Sequence, residues 1–370
     1  MTTVEGEVLR LVRRRGTLPA DEVIDLALYG DDGFYSAGGR AGRRGDFLTS
    51  PEVGPLFGVL FGRALDGWWR GLGRPDPFVV VEAGAGIGTL ARSVLAAAPE
   101  CSPALRWVCV ERSAPLRAQA ASILAVEPPI HVLGGAAAGG PLVTVLDDLP
   151  AGPVTGVVLA NELLDNLPPV IVERTAGGWA EVRVGEDHGC LVEVLAPSPE
   201  MTRAAERWAP GASVGSRVPL ARQAARWLAQ ARASLEAGWV VCVDYGAATT
   251  AELGERGFDG WLRTYRAHGR GGGWLEGLGT QDITCDVPAD QLQPSTIEPQ
   301  AAWLRWLGID ALAAESRGTW HERAAIGDLA ALRARSLVAE AQALTDEAGL
   351  GAFLVLTWPG GPTPEGTRTA

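Results

Sequence analysis

The chain of 370 residues contains no lysine: all 32 basic residues are arginine, set against 44 aspartates and glutamates, for a formal net charge of −12. That balance argues against a broad nucleic-acid or anionic-membrane surface, which needs clustered positive charge. It also removes the P-loop, whose G-x-x-x-x-G-K-[ST] signature requires a lysine. With 48 glycines in the chain, the missing lysine reads as compositional bias rather than function. Cysteine is scarce: Cys101, Cys109, Cys190, Cys242 and Cys285 are odd in number and include no C-x-x-C pair. A disulfide framework and a zinc site are therefore not expected, and a reducing, cytoplasmic setting is. The four histidines (His131, His188, His268 and His321) show no metal-ligand spacing, so no metal is expected. There is no run of about 18 apolar residues, hence no expected membrane span. The opening "MTTVEGEVLRLVRRRG" carries acids and no long apolar stretch, unlike a signal peptide.

What is present is an alternation of strands and helices. Residues 4–15 and 20–29 read as short helices, with Val4, Val8, Leu9 and Val12 on one face of the first. Residues 30–55 are rich in Gly, Asp and Arg and read as a loop. A helix is then expected from Pro51 to about residue 71, with Ser50 as N-cap and Glu52 in the first turn. From Phe78 the pattern becomes strand 78–82, glycine loop, helix 88–98, strand 106–111, helix 114–124 and strand 154–160. A hairpin turning at Gly177-Gly178 follows, then an irregular stretch 196–215. A helix carrying Leu220, Ala224, Trp227, Leu228, Ala231 and Leu235 on one face is expected to end at Gly238. Strand 239–244 follows it, and the apolar "GAFLVLTW" ends the ordered chain. Such βα alternation implies an α/β fold with a mostly parallel sheet covered by helices, whose ligands bind beyond the carboxyl ends of the strands. The expected division is an N-terminal helical lid region 1–75, a main domain 76–358 with an inserted helical segment around 190–237, and a disordered tail 359–370.

Three motifs fall at strand ends. In "VVVEAGAGIGTL" the glycines are Gly84, Gly86 and Gly88. The dinucleotide fingerprint G-x-G-x-x-G would place its third glycine at 89, which is Thr89. What remains is E-x-G-x-G-x-G, a loop whose backbone passes so close to a ligand that a Cβ would block it. Glu82, at the strand end, is placed to accept from a ligand ammonium, directly or through water. The next strand ends at Glu111, 25 residues after Gly86 (111 − 86). A carboxylate there takes both ribose hydroxyls of an adenosyl group, and would equally serve NAD. The third motif, "NELLDNLP", follows the apolar "TGVVLA". Asn161 is placed to orient a second substrate, and Glu162 and Asp165 to hold a cation. The alternative is an Asn/Glu helix cap with Asp165 on a solvated face.

Taken together, "GFY" (33–35), "GDFLTSPEVGPLFG" (45–58), "EAGAGIGTL", "ANELLDNLPP" (160–169), "GGWAEVRV" (177–184), "VDYG" (243–246), "TYRAHG" (264–269), "GTQDITCDV" (279–287), "QAAWLRWLGI" (300–309) and "GLGAFLVL" (349–356) resemble the MidA-like methyltransferases along nearly the whole chain. The resemblance implies a class I S-adenosylmethionine (SAM) methyltransferase fold, Rossmann-like, with an N-terminal helical extension and an inserted segment. Mitochondrial members of that family assist assembly of respiratory complex I and are similar to protein arginine methyltransferases. By motif, Gly84, Gly86, Gly88 and Glu111 would bind SAM, with Asp46, Thr49, Ser50 and Glu52 forming a lid over it. Asn161, Glu162 and Asp165 would face a protein acceptor, such as a complex I subunit. The chain departs from the family at Ala85 and Ile87, where "GPGRG" is usual, and at "DNLPPVIV", which lacks the His and Gln of "DALPVHQF". Two other functions stay open at this point: methylation of a small molecule, and a non-catalytic assembly factor that retains the fold.

Overall fold

The computed structural model describes residues 3–36, 49–134, 139–266 and 269–361. Two compact units share the chain: Leu48–Asn161, Ala231–Val243 and Ser295–Ala370 form one, and Met1–Phe47, Glu162–Gln230 and Asp244–Pro294 the other. This division does not follow the expected boundary at residue 75.

The first of these units is organised by a seven-stranded sheet. Its strands in chain order are β1 (Phe78–Ala83), β2 (Leu105–Val110), β3 (Leu142–Leu146), β4 (Val154–Asn161), β5 (Leu235–Asp244), β6 (Thr296–Pro299) and β7 (Leu354–Gly360), arranged β6-β7-β5-β4-β1-β2-β3. The pairs β1–β2, β2–β3, β1–β4 and β4–β5 are parallel, while β6–β7 is antiparallel. The chain runs outward from β1 to β3 and then returns to β4 on the other side of β1, so the switch point of the sheet lies between β1 and β4. All six residues of β1 are buried, as expected of a strand covered on both faces. β3 was not expected from the sequence.

Helix Pro55–Gly71 buries Leu56, Phe57, Leu60, Phe61, Ala64, Leu65 and Trp68. The Phe61 ring lies 5.5 Å from that of Trp303 and 6.1 Å from that of Trp68. Each such fully buried side chain contributes about 1.5–3 kcal/mol. The single helix expected from Pro51 is in fact two, Ser50–Val53 and Pro55–Gly71. Gly54 sits between them in extended backbone, the conformation favoured before a proline. Buried Glu340 caps the second helix by accepting the Leu56 N–H at 3.0 Å. A Cβ on Gly58 would lie 2.4 Å from the Ser93 Cβ, so that glycine lets this helix pack closely on helix Thr89–Ala97.

Gly238 does not end a helix. The helix stops at Ala233, and Gly238 lies inside β5 opposite Gly156 of β4. A Cβ on Gly238 would lie 1.7 Å from the Gly156 carbonyl oxygen, and one on Gly156 would lie 1.9 Å from that of Val79. The strand needs this glycine for close backbone approach. Pro359 and Gly360, expected in the tail, belong to β7.

In the other unit, helices Val4–Arg15 and Ala20–Tyr29 form as expected, the first with Thr3 as N-cap. An antiparallel sheet joins Leu18–Pro19, Gly178–Asp187, Val170–Thr175 and Arg217–Leu220 in that order, with Cys190–Pro197 also paired to Gly178–Asp187. The hairpin register pairs Thr175 with Gly178, so the turn is Ala176-Gly177, one residue earlier than expected. The stretch 196–215 is irregular only in part: helix Pro199–Trp208 starts from Ser198, whose hydroxyl accepts the Met201 N–H, and the irregular segment is 209–215. Ser-Pro-Glu at 198–200 repeats the tripeptide at 50–52, where, however, Thr49 is the N-cap and Ser50, expected as the cap, is the first helical residue.

Candidate functional site

The glycine loop leaves β1 after Ala83. Gly84, Gly86 and Gly88 have φ of 69°, 54° and 77°, the left-handed region that glycine enters without penalty. The loop is tied to β2, where the Ala85 N–H donates to the Val110 carbonyl at 3.1 Å. A Cβ on Gly88 would strike the Leu124 Cδ1 at 2.7 Å, whereas a Cβ on Gly86 would meet no protein atom within 4 Å. Gly88 is therefore favoured by its left-handed backbone, with the tip of the Leu124 side chain packed against it, while Gly86 borders open space.

Glu111 follows β2. Its Oε2 accepts the Gly86 N–H at 2.9 Å and its Oε1 accepts the Ser113 N–H at 2.8 Å. Burial pushes its pKa up, and these two N–H donors oppose the shift. A carboxylate has about four lone-pair positions, so the two bonds leave acceptor capacity on both oxygens. Glu82 is enclosed, only 4% exposed, and accepts the Trp107 indole N–H at 2.8 Å. Burial pushes it up to about 8, against the opposing pull of the Trp107 and Ala91 N–H groups. Thr89, which stands where a dinucleotide site would have glycine, donates its hydroxyl to Glu52 Oε1 at 2.6 Å. That bond brings the Ser-Pro-Glu segment to the first turn after the glycine loop. Ser50 is buried and donates to Gln300 Oε1 at 3.0 Å, and Thr49 is also buried. Asp46 and His268 lie outside the described residues.

The second cluster begins where β4 ends. Asn161 is its last residue. Glu162, next in the chain, has φ of 52°, an uncommon backbone for a non-glycine residue that costs on the order of 1–3 kcal/mol and tends to mark functional sites. Leu164–Asn166 forms a 3₁₀ turn. Its backbone is held by Asp244, whose Oδ2 accepts from the N–H groups of Leu163, Leu164 and Asp165 at 3.1, 2.8 and 3.3 Å. Asp244 Oδ1 accepts the Tyr245 N–H at 3.0 Å.

Asp165 is buried rather than solvated. The Tyr245 hydroxyl donates to its Oδ2. Among the described residues, no donor meets its Oδ1 at hydrogen-bonding geometry. Burial raises the Asp165 carboxyl to about 6, against the pull of the Tyr245 hydroxyl, the Arg263 charge and the nearby N–H groups of Asn166 and Asp165. Asn166 is fixed by its amide, which donates to Asp282 Oδ1 at 3.2 Å. The Tyr35 hydroxyl lies 3.0 Å from Asn166 Oδ1 and 3.2 Å from Asp282 Oδ1. The Arg263 guanidinium stacks 4.8 Å from the Tyr245 ring centroid and pairs with Asp286. Four motifs thus converge here: "GFY", "NELLDNLP", "VDYG" and "QDITCD". Asp244, Tyr245, Asp282, Tyr35 and Arg263 were not read as site residues. The available signal was an acid ending the apolar "WVVCVD", the same pattern that picked out Glu111 after "RWVCV".

Among the described residues no group of three or more His, Cys, Asp or Glu is arranged to hold a metal, and no helix is long and apolar enough to cross a membrane.

A glycine loop after the first parallel strand, a carboxylate after the second and a strand-order reversal beside them define an α/β protein with an adenosyl-type ligand site. Residues 60–305 match the model of an S-adenosyl-L-methionine-dependent methyltransferase family, and the chain belongs to that family. It is 30% identical over 309 residues to the mitochondrial protein arginine methyltransferase NDUFAF7 of Bos taurus, covering 75% of this chain and 67% of the relative. To the human protein of the same name it is 30% identical over 305 residues, with the same coverage. The Drosophila melanogaster homolog is 33% identical over 192 residues, 46% of this chain and 41% of the relative, so the match there spans less than half of that protein. A Burkholderia thailandensis protein solved with S-adenosyl-homocysteine bound superposes with a TM-score of 0.78 at 26% identity, covering 96% of this chain and 91% of that one. The curated relatives are named as mitochondrial, which overturns the cytoplasmic setting expected from the cysteine pattern. Scarce, unpaired cysteines do not distinguish one reducing compartment from another.

Proposed function

We propose that this chain transfers a methyl group from SAM to an arginine of a protein acceptor. The observation that carries the reading is Asp165, a buried carboxylate with one oxygen committed to Tyr245 and the other uncommitted. The names of the NDUFAF7 relatives support the acceptor class.

The residues present fit the cofactor. Open space at the Gly86 Cβ position is the cradle a close-passing ligand needs. Gly84, Gly86 and Gly88 would hold the cofactor along the loop, and Glu111 would take its ribose hydroxyls with the lone pairs left by Gly86 and Ser113. Glu82 supports the loop from the strand end. Thr49, Ser50 and Glu52 flank it, with Glu52 bonded to Thr89. When bound, SAM supplies an electrophilic methyl on a positively charged sulfur.

The protein's part is alignment and the exclusion of water. Glu162 and Asp165 bind the acceptor guanidinium through charge-assisted hydrogen bonds, and Asn161 orients it. Carboxylates on two guanidinium nitrogens draw positive charge toward them and leave the third more nucleophilic. Burial holds the Asp165 carboxyl above its usual range, which makes Oδ1 a stronger proton acceptor than an exposed carboxylate oxygen.

Titration calorimetry with SAM tests the cofactor half, and a chain that binds none would sink it. Incubation with methyl-labelled SAM and a mitochondrial extract tests the acceptor half. Label is expected in protein as methylarginine, and a respiratory complex I subunit is the first band to examine. Label confined to small molecules would refute the protein acceptor.

A further inference from the structure

From the geometry of the second cluster we infer that Tyr245 is a positioning residue, which fixes Asp165 so that Oδ1 alone is offered and so selects an acceptor that presents an N–H. The inference rests on the reading that Asp165 receives the methyl acceptor. Three restraints carry it. Asp244 fixes the backbone on which Asp165 sits, through the N–H groups of Leu163, Leu164 and Asp165. The Tyr245 hydroxyl then occupies Oδ2. The Tyr245 ring is itself held under the Arg263 guanidinium, which Asp286 anchors. With the backbone, the ring and one oxygen fixed, the carboxylate has no freedom to exchange its two oxygens. Oδ1 is left buried, without a donor at hydrogen-bonding geometry among the described residues, and a buried acceptor in that condition is costly until something supplies a proton donor. A guanidinium N–H does so. A carboxylate, carbonyl or phosphate brings no donor and is repelled.

The same arrangement sets how the site responds to pH. Among the described residues, Asp244, Glu162, Tyr35, Asp282, Cys285 and Asp286 are further titratable groups of this cluster, with Arg263 and Arg256 as cations paired to Asp286. The Tyr245 hydroxyl pulls the Asp165 carboxyl down against burial. Its removal raises that carboxyl, so a larger fraction is protonated at neutral pH.

The test compares full-length wild type, Tyr245→Phe and Asp165→Asn for SAM affinity, melting temperature and methyl incorporation into a mitochondrial extract from about pH 5 to about pH 8. Tyr245→Phe should bind SAM like wild type, lose about tenfold in incorporation at neutral pH, and show its acid limb displaced to higher pH. Asp165→Asn keeps the shape, cannot titrate, and should show no such limb at the activity it retains. It also tests the inference should Tyr245→Phe fail to fold, since an Asp165→Asn enzyme with a wild-type acid limb overturns it. So does a Tyr245→Phe enzyme with wild-type rates, or one that loses the same factor at every pH together with melting temperature, as a purely structural tyrosine would. A wild type that binds SAM and labels no protein refutes the methyl-acceptor reading itself, and this inference falls with it.

Discussion

The glycine loop and the segment after β4 each continue from the end of a parallel strand, but they are built in opposite ways. In the loop, the proposed cofactor binding rests on side chains that are missing: three left-handed glycines, with open space beside Gly86. Around Leu164–Asn166, the proposed function rests on side chains that are buried and interlocked, with Asp244, Tyr245, Asp282 and Tyr35 all bonded to one short turn or its side chains. A ligand that lies along backbone needs room. A group that must be held in one orientation needs its partners held first.

Four substitutions would break or sharpen that contrast. The largest effect is expected from Asp244→Ala, which strands three N–H groups of the turn. At about 1–3 kcal/mol for each buried unpaired donor, the loss is on the order of 3–9 kcal/mol, a large part of ordinary domain stability. Chemical denaturation should show it, and a midpoint like wild type would mean that the turn does not depend on Asp244. Gly86→Val comes next and acts on the ligand rather than the fold. The left-handed backbone costs about 1–2 kcal/mol, and the added side chain fills the open space, so SAM affinity should drop by roughly a hundredfold or more in calorimetry. Retained affinity would disprove the cradle.

Glu82→Gln tests the buried acid under the loop. Its folded pKa of about 8 is raised above the unfolded value, so the folded state binds the extra proton between about pH 4.5 and 8. Stability from this group is therefore full at low pH and is lost as pH rises through that window, with a slope of up to about 1.4 kcal/mol per pH unit. Melting temperatures of wild type and Glu82→Gln measured across the window should diverge as pH rises, the glutamine variant holding its stability. Parallel curves would show that Glu82 stays ionised. The smallest effect is expected from Thr89→Val, which removes the hydroxyl bonded to Glu52 and should cost about 1 kcal/mol in denaturant. No change would mean that Glu52 is not held there.

The contrast also explains what could be read from the chain. The glycine loop is local: Glu82, Gly84, Gly86, Gly88 and Thr89 lie within eight consecutive residues, and spacing together with the absence of lysine separates their pattern from two rival loops. The second cluster joins residues 35, 165, 166, 244, 245, 263 and 282, whose meeting depends on tertiary packing. "NELLDNLP" can be singled out, but whether Asp165 holds a cation or lies on a solvated face depends on its burial, which follows from Asp244 bonding the turn. The missed elements have similar causes. β3 is only five residues long. Helix Pro199–Trp208 is hidden in a Pro/Ala/Gly-rich stretch despite its Ser-Pro-Glu start. Gly238 follows a helical pattern closely enough to look like its end, although its register partner is Gly156.

Val79, Gly156 and Gly238 form a line across three adjacent strands in which each glycine leaves no room for a methyl group against the neighbouring carbonyl. A saturation scan should therefore find positions 156 and 238 as intolerant of alanine as Gly86 is of valine, though neither carries any chemistry. The strands that pass through this line end, a few residues later, in Glu82, Asn161 and Asp244. Whatever chemistry those termini carry is presented by a sheet whose spacing two side-chain-free positions have already set.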